Sequence, residues 1–250
     1  MINLVNVHKS FDGEKALDGF TLSVEPGTLL GVVGPGGCGK STFCRVACGL
    51  MRPDTGAVVV NGLDMVRAPR RDLMEVQRKC GVQFQNDALF EHMTVLDNVA
   101  YPLMRLTDLG PVEIRARSME RLAMVGLAGF EERYPNRLSG GQRRRVALAR
   151  ACVTDPEILI CDDPTAGLDP VTSRRILDMI SGIRFQTQNT VVVVSSDVIG
   201  LLSVAQQVAL VWQGRVIARG TPDDFWRSDK PEVRRFLDDA RLPVGEGAWV

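Results

Sequence analysis

The sequence has no surplus of either charge: 30 Lys plus Arg stand against 30 Asp plus Glu in 250 residues. A protein that grips nucleic acid by its phosphates needs a basic face, so zero net charge argues against DNA or RNA as a partner. Long hydrophobic runs are missing too. No apolar stretch nears the ~20 residues of a membrane-crossing helix, and runs such as Val191 to Val194 are strand-sized. Met1 to Phe20 holds Lys9, Asp12, Glu14, Lys15 and Asp18 with no apolar core segment, which argues against a secretory signal and for a cytoplasmic protein. Histidine is scarce. His8 and His92 are far in sequence from Cys38, Cys44, Cys48, Cys80, Cys152 and Cys161, and no Cys-x-x-Cys pair occurs. That argues against zinc and for reduced, buried thiols. With 45% hydrophobic and 24% charged residues, no repeat and no low-complexity tract, the chain has the make-up of one globular domain with room for an inserted subdomain.

Leu22 to Val24 and Leu29 to Val33 read as strands around Glu25-Pro26-Gly27, the second running into Gly34-Pro35-Gly36-Gly37-Cys38-Gly39. Phe43, Val46, Ala47 and Leu50 then recur at helical spacing and predict a helix with one buried face. Ala57 to Val60 is a strand ended by Asn61-Gly62, a tight-hairpin dipeptide, and Cys80 to Phe84 is another. Residues 86–154 read as a helical subdomain punctuated by Pro102, Pro111 and Pro135. Strands resume at Ile158 to Cys161, Thr190 to Val194, Val208 to Trp212 and Arg215 to Ala218, and Thr221-Pro222 and Lys230-Pro231 open two C-terminal helices. The expected organisation is an α/β core of residues 1–85 and 155–220 with a largely parallel sheet, the helical subdomain 86–154, and C-terminal helices and tail 221–250.

Gly34 to Ser41 fits the spacing G-x-x-x-x-G-K-[ST] between a strand and a helix. Glycines in this pattern turn backbone N–H groups toward phosphate oxygens, Lys40 reaches the outer phosphates, and Ser41 can ligate Mg²⁺. A nucleoside triphosphate is the expected ligand. Cys38 reads as a small residue the loop tolerates. Strand Ile158 to Cys161 ends in Asp162-Asp163; downstream of a phosphate loop, Asp162 is placed to hold the metal and Asp163 to orient or deprotonate the attacking water.

Leu138-Ser139-Gly140-Gly141-Gln142, the helical stretch Arg143 to Cys152, the acidic strand and Ala166-Gly167-Leu168-Asp169 together closely resemble the ATP-binding cassette (ABC) ATPases, over essentially the whole chain. The resemblance implies a RecA-like P-loop NTPase core, an antiparallel N-terminal β subdomain and an inserted helical subdomain. It also implies ATP and Mg²⁺, held by the loop from Gly34 through Thr42. Ser139, Gly140 and Gly141 bind the γ-phosphate held by the other protomer, Gln142 and Asp169 count among the nucleotide-binding residues, and the working unit is a homodimer. Phe11 corresponds to the aromatic that stacks on adenine. Gln85 corresponds to the glutamine that contacts Mg²⁺ and couples to a membrane partner. Arg143-Arg144-Arg145 reads as a solvated basic face.

Two positions depart from the family pattern. Asp163 stands where Glu is usual, and Ser196, in Ser195-Ser196-Asp197, stands where His is usual. Binding parts are complete while hydrolytic parts are weakened. Asn86 to Phe90, Thr94 to Leu103 and Pro231 to Asp238 are similar to the cassettes of MCE-associated (Mla-type) phospholipid transport systems. That similarity implies an integral-membrane permease, an MCE-domain lipid-binding subunit, lipid cargo and a peripheral position on the cytoplasmic face of the inner membrane. Ala88-Leu89-Phe90 and Met93 form the expected docking surface, unless these side chains fold back into the core. Three alternatives stay open: an ATP-gated clamp with negligible turnover, an importer ATPase for another small solute, and a soluble cassette acting on ribosomes or DNA.

Overall fold

A computed structural model describes residues 1–241. The chain starts with a hairpin of β1 (Ile2–Phe11) and β2 (Glu14–Val24), then β3 (Leu29–Val33), the phosphate loop and α1 (Lys40–Ala47). β4 (Thr55–Val60) turns at Asn61-Gly62, both with positive φ as such a turn requires, into β5 (Leu63–Asp64). α2 (Arg70–Arg78) and β6 (Cys80–Gln83) follow. Next come α3 (Val95–Leu106), α4 (Pro111–Met124) and α5 (Gly140–Cys152), the helical segment expected between strands. β7 (Ile158–Asp162), α6 (Pro170–Thr187), β8 (Thr190–Ser195), α7 (Val198–Leu202), β9 (Gln207–Trp212), β10 (Arg215–Gly220), α8 (Pro222–Trp226) and α9 (Pro231–Arg241) complete the described chain. Part of the expected C-terminal tail, 242–250, lies outside the described residues. No helix among the described residues is long and apolar enough to cross a membrane.

Two sheets share these strands. The antiparallel one runs β2-β1-β4-β5; the other runs β10-β9-β3-β8-β7-β6, parallel except for β10. β3, β7 and β8 in this sheet are buried on both faces, which is why they read as largely apolar runs rather than alternating ones. Side chains still alternate: Leu29, Leu159, Val191 and Val193 join the core shared with the helical subdomain, α6 and α7. Leu30, Val32, Ile158, Ile160, Val192 and Val194 point the other way, into a second core with α1 and the antiparallel sheet.

Two expectations need correction. Leu50 lies beyond α1 and is 53% exposed, because the helix ends at Ala47 and Gly49 turns the chain with φ 67°. The strand from Cys80 stops at Gln83, leaving Phe84 outside it. The first twenty residues form strands whose Ile2, Leu4, Val7, Leu17 and Phe20 are fully buried.

Gln83 sits in β6 with no exposed surface; its Nε2 donates weakly to the Arg144 carbonyl (3.4 Å) and its Oε1 has no partner among the described residues. An orphaned buried acceptor carries its desolvation cost uncompensated. Gln83→Met is therefore expected to stabilise the protein by about 1 kcal/mol, read as a melting temperature roughly 2–4 °C higher by calorimetry.

Candidate functional site

Sheet order sets the site. β8 lies between β3 and β7, with Val33 paired to Ser195 and Val194 to Asp162. The phosphate loop, Asp162-Asp163 and Ser195-Ser196 thus leave the carboxyl ends of three neighbouring parallel strands, where open α/β sheets bind ligands. They enclose a cavity of about 320 Å³ lined by Gly36, Gly37, Gly39, Lys40, Ser41, Thr42, Gln85, Asp162, Asp163 and Ser196. Gly39 has φ 105°, and a Cβ there would run into the Ala16 carbonyl, so the loop needs glycine at this point.

Lys40 Nζ donates to the carbonyls of Gly34 (2.7 Å) and Pro35 (2.8 Å). Ser41 Oγ donates to Asp162 Oδ1 at 2.9 Å, which brings a hydroxyl and a carboxylate to one point. Burial pushes the Asp162 carboxyl up, the Ser41 hydrogen bond counters this, and the Asp163 charge adds to the rise. Asp163 accepts from the two serines at the end of β8, Ser195 Oγ on Oδ1 and Ser196 Oγ on Oδ2, each at 3.3 Å. The Cys38 thiol is 6% exposed and raised by burial despite the neighbouring Lys40, which keeps it neutral.

The remaining candidates lie elsewhere. Phe11 ends β1 and is 44% exposed, with Lys9 Nζ 5.6 Å from its ring centre. Ser139, Gly140, Gly141 and Asp169 line a different cavity, of about 370 Å³. In it Ser139 and Gln142 cap α5 reciprocally, Ser139 N donating to Gln142 Oε1 at 2.9 Å and Gln142 N to Ser139 Oγ at 3.3 Å. Asp169 Oδ1 caps α6, accepting from the Val171 and Thr172 amides at 3.0 Å each.

Sequence reasoning missed a clasp around Gln85. Arg144 is not part of a solvated face: its side chain is 11% exposed and donates to the Gln85 carbonyl, to Asp87 Oδ1 (2.8 Å) and to the Ala166 carbonyl (3.3 Å). Arg145 likewise turns inward, to the Val125 carbonyl at 3.0 Å. Arg150 donates to the Asp87 and Ala88 carbonyls at 2.6 and 2.7 Å. Burial raises the Asp87 carboxyl, and the Arg144 charge opposes the rise. Asp87 and Ala88 both have positive φ, a loop shape that these external bonds hold in place.

Beside the clasp runs a mainly apolar groove of about 490 Å³, lined by Leu50, Phe84, Ala88, Phe90, Tyr101 and Leu106 among others. Buried Asn98 shapes its rim, accepting from the Phe90 amide (2.8 Å) and donating to the Phe90 and Thr94 carbonyls (3.0 Å each). Of the expected docking residues, Ala88 is exposed and Phe90 lines the groove, whereas Leu89 packs against the core.

Comparison with known proteins adds the family. The ABC transporter family model matches residues 17–166. The chain is 36% identical over 245 residues to a probable ribonucleotide transport ATP-binding protein, mkl, of Mycobacterium bovis, covering 98% of this chain and 68% of that one. It is 38% identical over 247 residues to the methionine import ATP-binding protein MetN of Caulobacter vibrioides, covering 98% and 74%. Among solved structures, the dimeric post-hydrolysis state of the ATP-binding cassette MJ0796 bound to ADP and Pi superposes with TM-score 0.83 at 31% identity, covering 89% of this chain and 99% of that one. With motif order, topology and site geometry in agreement with these matches, the chain belongs to the ABC transporter family, as one of its ATPase cassettes.

Proposed function

We propose that this chain is the ATP-hydrolysing subunit of a multi-subunit membrane transporter for phospholipid or another lipid, working as a homodimer with slow turnover. The observation that carries the ATPase reading is the gathering of Lys40, Ser41, Gln85, Asp162 and Asp163 around one cavity. Lys40 exchanges its loop carbonyls for the outer phosphates, and the loop amides and the α1 N-terminus face the same charge. Phe11 stacks on adenine. The Ser41 hydroxyl and Asp162 carboxylate form an all-oxygen donor pair 2.9 Å apart, which suits Mg²⁺. When bound, held by Ser41, Asp162 and Gln85, that ion neutralises charge on the β and γ phosphates. Asp163 accepts a proton from the attacking water as its oxygen bonds to the γ-phosphorus and the bond to the bridging oxygen breaks, releasing ADP.

Ser139, Gly140, Gly141 and Asp169 face a cavity apart from the phosphate loop on the same chain. A second copy supplies them across the dimer, so two nucleotides close two copies together. Residues 86–154 act as the arm that carries closure to the permease, with 1–85 and 155–220 as the nucleotide core and 221–250 as the C-terminal segment. The apolar groove beside Gln85 receives the permease, which places the subunit peripherally on the cytoplasmic face of the inner membrane.

Lipid cargo rests on the similarity of Asn86 to Phe90, Thr94 to Leu103 and Pro231 to Asp238 to MCE-associated phospholipid cassettes, with an MCE-domain subunit as further partner. Relatives named for ribonucleotide and methionine transport leave another small solute as the rival. Tyr101→Asp sets a charge in the groove while leaving the core intact. It is expected to cut co-purification of the permease in detergent at least tenfold with an unchanged melting temperature. Undiminished co-purification moves the docking surface elsewhere; phospholipid in the natural complex by mass spectrometry checks the cargo.

A further inference from the structure

The carboxylate of Asp163 has a second, fully buried partner beside Ser196. We infer that Ser195, braced by Thr165, is a positioning residue that fixes which way the Asp163 carboxylate faces during hydrolysis. This rests on the reading of Asp163 as the proton acceptor.

Ser195 ends β8 with no exposed surface, and Thr165, in the loop after β7, is 5% exposed. Three groups surround the Ser195 hydroxyl: the Asp197 amide at 3.0 Å, Thr165 Oγ1 at 3.2 Å and Asp163 Oδ1 at 3.3 Å. A hydroxyl has one proton to give and two lone pairs to fill. The amide can only donate and the ionised carboxylate can only accept. The arrangement that satisfies all three therefore has Ser195 accepting from Asp197 N and from Thr165 Oγ1, and giving its single proton to Asp163. Reversing the Thr165 bond would take that proton from Asp163 Oδ1 and leave a carboxylate oxygen without its donor.

The backbone points the same way. Asp163 N donates to the Val194 carbonyl at 2.8 Å, so both the main chain and one carboxylate oxygen of Asp163 are tied to β8. Oδ2 is left toward the cavity, where its partner Ser196 is exposed and free to turn to water. A carboxylate one methylene shorter than Glu has little reach to spare, and orientation then decides whether it meets the water at all.

The test uses the full-length chain in steady-state and single-turnover ATPase assays, with ATP affinity from calorimetry. Ser195→Ala is expected to lower kcat about tenfold, a fraction of the hundredfold a misplaced catalytic group can cost, with KM and ATP affinity unchanged. Ser195→Thr, which keeps the hydroxyl, restores the rate, and Thr165→Val lowers it through the lost brace even if Ser195→Ala does not fold. In an Asp163→Asn background the Ser195→Ala change has no further effect. Full kcat in Ser195→Ala beside a dead Asp163→Asn overturns the positioning role. So does an equal loss with and without Asp163. Natural turnover in Asp163→Asn strikes instead at the proton-acceptor reading.

Discussion

Lys40→Ala is expected to weaken ATP binding by roughly 10²–10⁴-fold, measured by titration calorimetry. Hydrogen bonds to charged groups are worth about 1.5–3 kcal/mol each, two such bonds about 3–6, and each 1.4 kcal/mol is tenfold in affinity. The ammonium already sits at the loop mouth, bound to the Gly34 and Pro35 carbonyls at 2.7 and 2.8 Å. Those are neutral acceptors, and a triphosphate offers ionised ones, so ligand binding replaces weaker partners by stronger ones without moving the backbone. Alanine removes the charge and both donors. The loop keeps its shape, because its glycines and the Gly34 approach to Val211 are set by main chain rather than by Lys40. Affinity within a factor of three of the natural protein would refute the phosphate role of this lysine.

The place of the tight motifs in the fold was legible because their chemistry fixes both residue type and spacing. Gly34 to Ser41, Asp162-Asp163 and Ser139 to Gln142 all lie at the strand ends and helix starts expected of them. The fold class followed from strands buried on both faces, since β3, β7 and β8 are mostly apolar and buried at every residue. β1 escaped notice for a physical reason: its register shifts between Leu4 and Val7 and again between Val7 and Lys9. Such irregularities break the two-residue period, so Ile2, Leu4 and Val7 do not alternate cleanly. α2 escaped because only Val76 of its nine residues is buried.

Long-range partners are the other blind spot. Arg144 lies in a run of three arginines, and composition alone makes that a wet face; Asp87 and the Gln85 carbonyl, 57 and 59 residues away, draw it inward. Leu89 and Phe90 are equally apolar neighbours, yet one packs on the core and the other lines the groove. Nothing local separates them. The split follows from Asn98, whose bonds to Phe90 bend the loop back over α3. Ser195 was visible only as a neighbour of Ser196, because its role depends on Thr165 and Asp163, 30 and 32 residues away.

The double variant Asp163→Glu, Ser196→His is expected to hydrolyse ATP about a hundredfold faster than the natural chain, with each single variant between them. A group acting on water must come within ~2.6–3.2 Å of it, and Glu extends the carboxylate by about one C–C bond, ~1.5 Å. Misplacement of ~1 Å can cost about a hundredfold. In the natural protein Asp163 Oδ1 is tied to Ser195 at the end of β8 and Oδ2 lies 3.3 Å from the Ser196 hydroxyl, so the short side chain has little reach to spare toward the water. Ser196 can donate to Asp163, but it has neither the reach of an imidazole nor a positive charge to set beside the γ-phosphate. Stability should move the opposite way. Asp163 has φ 49°, a left-handed conformation that Asp tolerates better than Glu, so Asp163→Glu lowers the melting temperature while raising the rate. A gain in kcat that accompanies a loss of stability cannot come from better folding, and it separates reach from general improvement. A natural chain already as fast as the double variant would show that Asp163 attains the water from where it stands, and the slow-turnover reading would fall.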